Sequence, residues 1–169
     1  KTITLSVNIS IKQFEQENFV GDLLTALVQT GANPNMLVLE LTESLFMGEL
    51  TDAQNKMKKL KEYGVRFSLD DFGTGYSSLA YLKSLDFDQI KIDQSFVADV
   101  PGDPSSCGIV RAILSMGQAL HLKVIAEGVE TAEQLDYLID SGCQNFQGYW
   151  FSHPKPVSAF TDMVKNINQ

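Results

Sequence analysis

The sequence predicts an α/β fold of the TIM type, a (β/α) barrel built here from six strand–helix units. Three observations predict it. Short apolar strands alternate with amphipathic helices along the chain, which calls for a parallel sheet. Polar residues hold one parity of the strands: Ser6, Asn8 and Ser10 between Leu5, Val7 and Ile9; Arg66, Ser68 and Asp70 between Val65, Phe67 and Leu69; Gln89, Lys91 and Asp93 around Ile90 and Ile92. A flat sheet covered by helices on both faces would be apolar on both parities. A closed barrel instead turns one parity inward and tolerates polarity near its mouth. Finally, the residues that close the strands in turn are all polar: Asn8, Glu40, Asp70 with Asp71, Lys91, Glu127 and Gln147. The C-terminal ends of barrel strands are where chemistry gathers.

The elements follow in order. Leu5 to Ser10 alternates as a strand does, and Ile11 to Thr30 carries Val20, Leu23, Leu24, Leu27 and Val28 at helical spacing. Gly31 to Pro34 is a turn and Met36 to Leu41 a strand. Thr51-Asp52-Ala53-Gln54 has the form of a capping box, opening a helix with Ala53, Met57 and Leu60 on one face and Gly64 at its end. Lys56, Lys58, Lys59 and Lys61 read as its solvated face. Val65 to Leu69 is a strand, Tyr76 to Ser84 a helix, and Phe87 to Ile92 a strand. Asp103-Pro104 suits an N-cap and first helical position, for a helix reaching about Ala119. Leu122 to Ala126 is a strand. Thr131 to Gln134 is a second capping box, with Leu135, Leu138 and Ile139 on the buried side. Asn145-Phe146 is a short last strand, and Pro156 starts a closing helix.

Composition narrows the function. The 169 residues are enough for one sizeable core, and no apolar run is long enough to span a bilayer. The net charge of −8 and pI near 4.6 argue against broad contact with nucleic acid or an anionic membrane, which need basic patches. A small phosphate ligand remains open if metal ions stand between. Cys107 and Cys143 lack redox or metal spacing and read as reduced thiols of a cytoplasmic protein. His121 and His153 are too far apart for a zinc site, so any metal would be held by oxygens, as magnesium, manganese or calcium are.

The densest chemistry lies at Asp70-Asp71-Phe72-Gly73-Thr74-Gly75-Tyr76-Ser77-Ser78, where a strand ends in two adjacent carboxylates and a glycine-broken loop follows. Two neighbouring aspartates are costly to desolvate unless a cation or a tight hydrogen-bond network lies between them. Each candidate also has a plain structural reading. Glu40 could pair with Lys91, either aspartate could cap the next helix, Glu43 could brace a loop, and Gly73 and Gly75 could serve mobility as well as phosphate binding. Lys91 could balance carboxylates, contact a phosphate or orient a water, or form a Schiff base. Acidic neighbours disfavour the last, because they keep the amine protonated. Together, Asn8, Glu40, Asp70, Asp71 and Glu127 gather oxygen ligands at one mouth. Two divalent ions, roughly 3.5–4 Å apart and bridged by a shared aspartate, would resolve the repulsion and assist hydrolysis of a phosphate ester.

The chain resembles the EAL-domain phosphodiesterases of bacteria, which hydrolyse cyclic di-GMP. The matching pieces are Val7-Asn8-Ile9-Ser10, Glu40-Leu41-Thr42-Glu43, the run from Asp70 to Ser78, Lys91-Ile92-Asp93, Glu127-Gly128-Val129-Glu130 and Gln147-Gly148-Tyr149, in family order. The resemblance implies that Asn8, Glu40 and Asp70 hold one Mg2+ or Mn2+, and that Asp70 and Asp71 reach a second. Lys91 would orient water or bind phosphate, Glu127 would act as general base, and Gln147 would contact substrate. Glu43 would brace the loop carrying Gly73, Thr74, Gly75 and Ser77, which in the family couples metal binding to homodimerisation. The product would be linear pGpG, and other signalling domains would accompany this one.

The namesake Glu-Ala-Leu and the arginine after it are absent, and the family barrel has about two further strand units before the one ending at Asn8. Residues 1–169 are therefore expected to be a single partial EAL domain, the C-terminal two-thirds of an incomplete barrel. The missing glutamate is a metal ligand in the family, so weak turnover is expected of this stretch alone. Two further expectations stand beside the enzyme: a cyclic di-GMP-binding or dimerisation module without catalysis, and an unrelated barrel lyase using Lys91.

Overall fold

The computed structural model describes residues 3–43, 49–75 and 79–167. Five parallel strands lie side by side in sequence order: β1 (Leu5–Asn8), β2 (Leu37–Thr42), β3 (Arg66–Phe72), β4 (Gln89–Ile92) and β5 (Lys123–Ala126). Helices connect them: α1 (Ile11–Phe14) and α2 (Phe19–Thr30) after β1, α3 (Leu50–Glu62) after β2, and α4 (Leu79–Ser84) after β3. Then come α5 (Gln94–Ala98) and α6 (Pro104–Ala119), α7 (Ala132–Asp140) and the closing α8 (Val157–Ile167). This is the α/β barrel wall that the alternation predicts. The expected sixth strand is reduced to a single bridge, Ala126 to Phe146, because Gly148 turns the chain immediately afterwards.

The two strand parities separate as the pattern requires. Leu39, Leu41, Phe67, Leu69, Ile90 and Ile92 join Met57, Leu60, Val110 and Leu138 of the helices in one buried core. The other parity buries polar groups: Glu40, Ser68, Asp70, Gln89 and Lys91.

Two helix starts follow their caps closely. Asp103 accepts from Ser106 N at 2.7 Å with Pro104 at the first position, and Thr131 with Gln134 forms a full capping box. Four expectations need correction. The segment from Ile11 to Thr30 is two helices. Phe14 and Phe19 turn in to meet at 5.2 Å, and the Phe14 carbonyl accepts from Lys56 Nζ at 2.9 Å instead of continuing the helical ladder. Lys56 is thus 6% exposed, paired with Asp52 at 2.7 Å, and not part of a solvated face; Lys61 is tied to Asp86 and Asp88. Thr51 to Gln54 is not a capping box: α3 already begins at Leu50, and the Gln54 amide donates to Ser84 O. Ile139 points outward, one residue round the helix from fully buried Leu138. The start of the helix expected from Tyr76 lies outside the described residues. Among those residues, no helix is long and apolar enough to cross a membrane.

Candidate active site

Parallel pairing in register carries the strand ends to one mouth. Asn8 lies beside Glu40, Glu40 beside Ser68, and Lys91 beside Ile125, so side chains from successive strands share the inward face. Lys91, 3% exposed, is the hub. Its Nζ lies 2.8 Å from Glu40 Oε2, 3.0 Å from Asp70 Oδ1 and 2.7 Å from Glu127 Oε1. Burial alone would lower the Lys91 pKa, but the bonds to Glu127, Glu40 and Asp70 outweigh it and hold the amine protonated well above its ordinary value. A Schiff-base amine must shed that proton, so the geometry weighs against the lyase reading. The Asn8 amide belongs with its nitrogen toward the cluster, where it donates to Glu40 Oε2 at 3.3 Å and Asp70 Oδ2 at 3.1 Å.

Adjacent residues of a regular strand point to opposite faces. Asp70 and Asp71 escape that rule through a bulge. Leu69 pairs with Ile90 and Phe72 with Ile92, so two residues of β3 oppose Lys91 alone. Asp71 takes φ +53° there, a left-handed conformation that aspartate tolerates better than most residues. Oxygens of Asp70, Asp71 and Glu127 all come within 4.8 Å of one another, close enough to share a divalent ion. The Asp71 pKa is raised by burial first, then by the charges of Asp70 and Asp93. Burial also raises that of Glu127, to about 7, with Asp70 and Glu40 adding to the rise and Lys91 opposing it.

The loop after β3 is held to the strand before it. Gly73 N donates to Glu43 Oε1 at 3.0 Å and Thr74 Oγ1 to Asp71 O at 2.9 Å; Gly75 sits where a Cβ would overlap the Glu43 carboxylate. Ser77 lies outside the described residues. Gln147 is placed by backbone bonds: its N–H donates to Ala126 O at 2.8 Å and its carbonyl accepts from Val129 N at 3.1 Å. It lines a cavity of about 260 Å³ with Asp71, Gln94, Glu127, Glu130 and Tyr149. A larger hollow of about 730 Å³, between α2 and Tyr63, is lined without a carboxylate and lacks this chemistry.

Three of these residues stand outside the candidate set read from the sequence, although Asp93 and Glu130 lie within the matched motif pieces. Asp93 faces Asp71 and caps α5 by accepting from Ser95 N at 2.9 Å; its signal was the Asp-x-Ser spacing of an N-cap. Gln94 opens that short, unanticipated helix, and Glu130 follows the fifth strand into the cavity wall.

A family model described as "EAL domain" matches residues 1–154. Cyclic di-GMP phosphodiesterase NbdA of Pseudomonas aeruginosa is 41% identical over 163 residues, 96% of this chain and 21% of its own length. A solved structure of the PaMucR phosphodiesterase in complex with c-di-GMP is 39% identical with a TM-score of 0.88, over 93% of this chain and 64% of that one. A manganese and cyclic di-GMP complex of Klebsiella pneumoniae BlrP1 is 31% identical with a TM-score of 0.82, over 90% of this chain and 39% of that one. The chain spans about a quarter or less of the length of the curated relatives it first matches.

Proposed function

This chain belongs to the EAL domain family, and on that premise we propose that it is the C-terminal two-thirds of a domain that hydrolyses cyclic di-GMP to linear pGpG. The observation that carries the reading is the convergence of Glu40, Asp70 and Glu127 on Lys91, with Asp71 turned to the same side by the bulge. A purely structural ion pair needs one carboxylate for one lysine. Here four acids gather, and the excess of negative charge in a buried site calls for a further cation.

The donor set fits a hard divalent ion. Asp70, Asp71 and Glu127 offer carboxylate oxygens, Glu40 adds another, and Asn8 could add an amide oxygen; none is sulfur or imidazole. Mg2+ or Mn2+ would be held here, in a two-ion site with Asp70 shared, and would supply Lewis-acid polarisation of the phosphate and a more acidic water. The remaining roles belong to the chain. Glu127, whose pKa lies near neutrality, takes the proton of the water that attacks phosphorus as the P–O3′ bond breaks. Lys91 keeps its charge throughout and meets the phosphate anion or the attacking water. Gln147 contacts substrate at the cavity wall. Glu43 holds the start of the loop, at Gly73, in place. A homodimer through that loop, a cytoplasmic setting and companion signalling domains belong to the same proposal.

The test is incubation with cyclic di-GMP and Mn2+ or Mg2+, with pGpG read by chromatography. Turnover that Asp70→Asn abolishes is the expected result; near-normal turnover in that variant refutes the assignment. Cyclic di-GMP binding with no product would instead support the binding-module reading.

A further inference from the structure

We propose that Lys91 is the resident counter-cation of this site, and that metal loading is a cation exchange in which the ion takes over carboxylate oxygens from the Lys91 ammonium. The inference rests on the metal-site reading above and concerns how that site is regulated.

Three of the four acids a metal would need already share an oxygen with Lys91. An ammonium has three N–H donors, and Lys91 directs them at three carboxylates, at 2.7, 2.8 and 3.0 Å. Asp70, the residue best placed to bridge ions, already accepts hydrogen bonds at both oxygens. Its Oδ1 accepts from Lys91 Nζ and from the Asp71 N–H at 3.1 Å, and its Oδ2 accepts from the Asn8 amide at 3.1 Å. Glu40 Oε2 is shared between Lys91 and Asn8 in the same way. A divalent ion on Asp70 competes with these donors for the carboxylate's lone pairs, and an ammonium and a divalent ion on one carboxylate repel strongly at such short range. Entry of the ion therefore draws Asp70 away from Lys91, and Asn8 can meet the ion only through its amide oxygen.

The exchange has a direction. Four carboxylates against one ammonium leave a net negative site, so a doubly charged ion is drawn in although Lys91 resists it. The released ammonium stays tethered at the mouth, where a phosphodiester anion would meet it. Metal occupancy thus arms the anion-binding group, and the metal-free site keeps that group occupied by the protein's own acids.

Calorimetric titration of metal-stripped protein with Mn2+ tests this, comparing wild type with Lys91→Met, in which a chain of similar size carries no charge. Lys91→Met is expected to bind Mn2+ about tenfold or more tightly than wild type. Equal or weaker binding overturns the exchange, with the metal-site reading intact. Absence of Mn2+ binding in both proteins overturns that reading and the exchange with it. If Lys91→Met does not fold, wild type labelled with 15N-lysine answers the question. The Lys91 ammonium resonance should move or vanish from its salt-bridged position on Mg2+ addition, and an unchanged resonance at saturating Mg2+ refutes the exchange.

Discussion

Glu127→Gln should change how the metal-free protein responds to pH. Burial raises the Glu127 carboxyl from about 4.5 to about 7 in the folded chain, so the fold holds this proton more tightly than the unfolded chain does. The sign follows directly. Below about pH 4.5 both states are protonated and the effect vanishes. Between 4.5 and 7 the folded state binds more protons, so stability falls as pH rises, and above 7 the full cost remains. At 1.36 kcal/mol for each tenfold change in proton affinity, that cost is about 3 kcal/mol. The Glu127 side chain is 16% exposed, so solvent screens it little. A glutamine in its place has no proton to lose and still reaches Lys91, which keeps Glu40 and Asp70 as partners. The assay is urea unfolding in EDTA at pH 5 and pH 8 for both proteins. The wild type should lose about 2–3 kcal/mol more than the variant between those two values. Parallel losses would show that Glu127 ionises as freely folded as unfolded, and the account of its environment would fail.

Three further expectations concern the frame of the site. Lys56→Met should cost about 1–3 kcal/mol in urea unfolding, because the Phe14 carbonyl loses its buried donor; a change under about 0.5 kcal/mol would mean water replaces the lysine at no cost. Gly148→Ala should cost about 1–3 kcal/mol and lower Tm, since a Cβ there would overlap the Val129 backbone on which Gln147 is hung; an unchanged Tm would place that strand end elsewhere. His121→Gly should stabilise by about 0.5–1 kcal/mol, as His121 holds φ +57° just past α6 and glycine takes that conformation without strain; a lower Tm would show the imidazole makes a contact worth more than the relief.

Local signals were legible and long-range ones were not. The caps at Asp103 and Thr131 could be read from four residues, because each is closed by atoms within one turn. Thr51 to Gln54 had the same letters, yet its glutamine is used thirty residues away at Ser84. The break after Phe14 carries no glycine or proline; it comes from Lys56, forty-two residues on, which also explains why a lysine in a lysine-rich helix is buried. The strand-end acids were visible because their parity is fixed by the pleat. What turns Asp70 and Asp71 to the same side was not visible, since a bulge is a property of pairing with β4 and not of β3 alone. Asp93 was read as strand polarity and not as a cap, because α5 is only five residues long.

The sequential order of the strands has a consequence for assembly. Each of the five strand ends gives the cluster at least one group, and its central contact joins residues 51 positions apart in the chain. No fragment of two units can make it and only all five bring in Asn8 and Glu127 as well, so the closure entropy of several large loops must be met before Lys91 finds all its acids. Until β4 docks beside β3, Glu40 and Asp70 gain nothing from being brought together, and their repulsion opposes the partial sheet. Formation of the hub therefore belongs to the late, cooperative stage of folding. A ligand that grips it tightens the whole wall at once, and slow hydrogen exchange along β2, β3 and β4 would rise together when it binds.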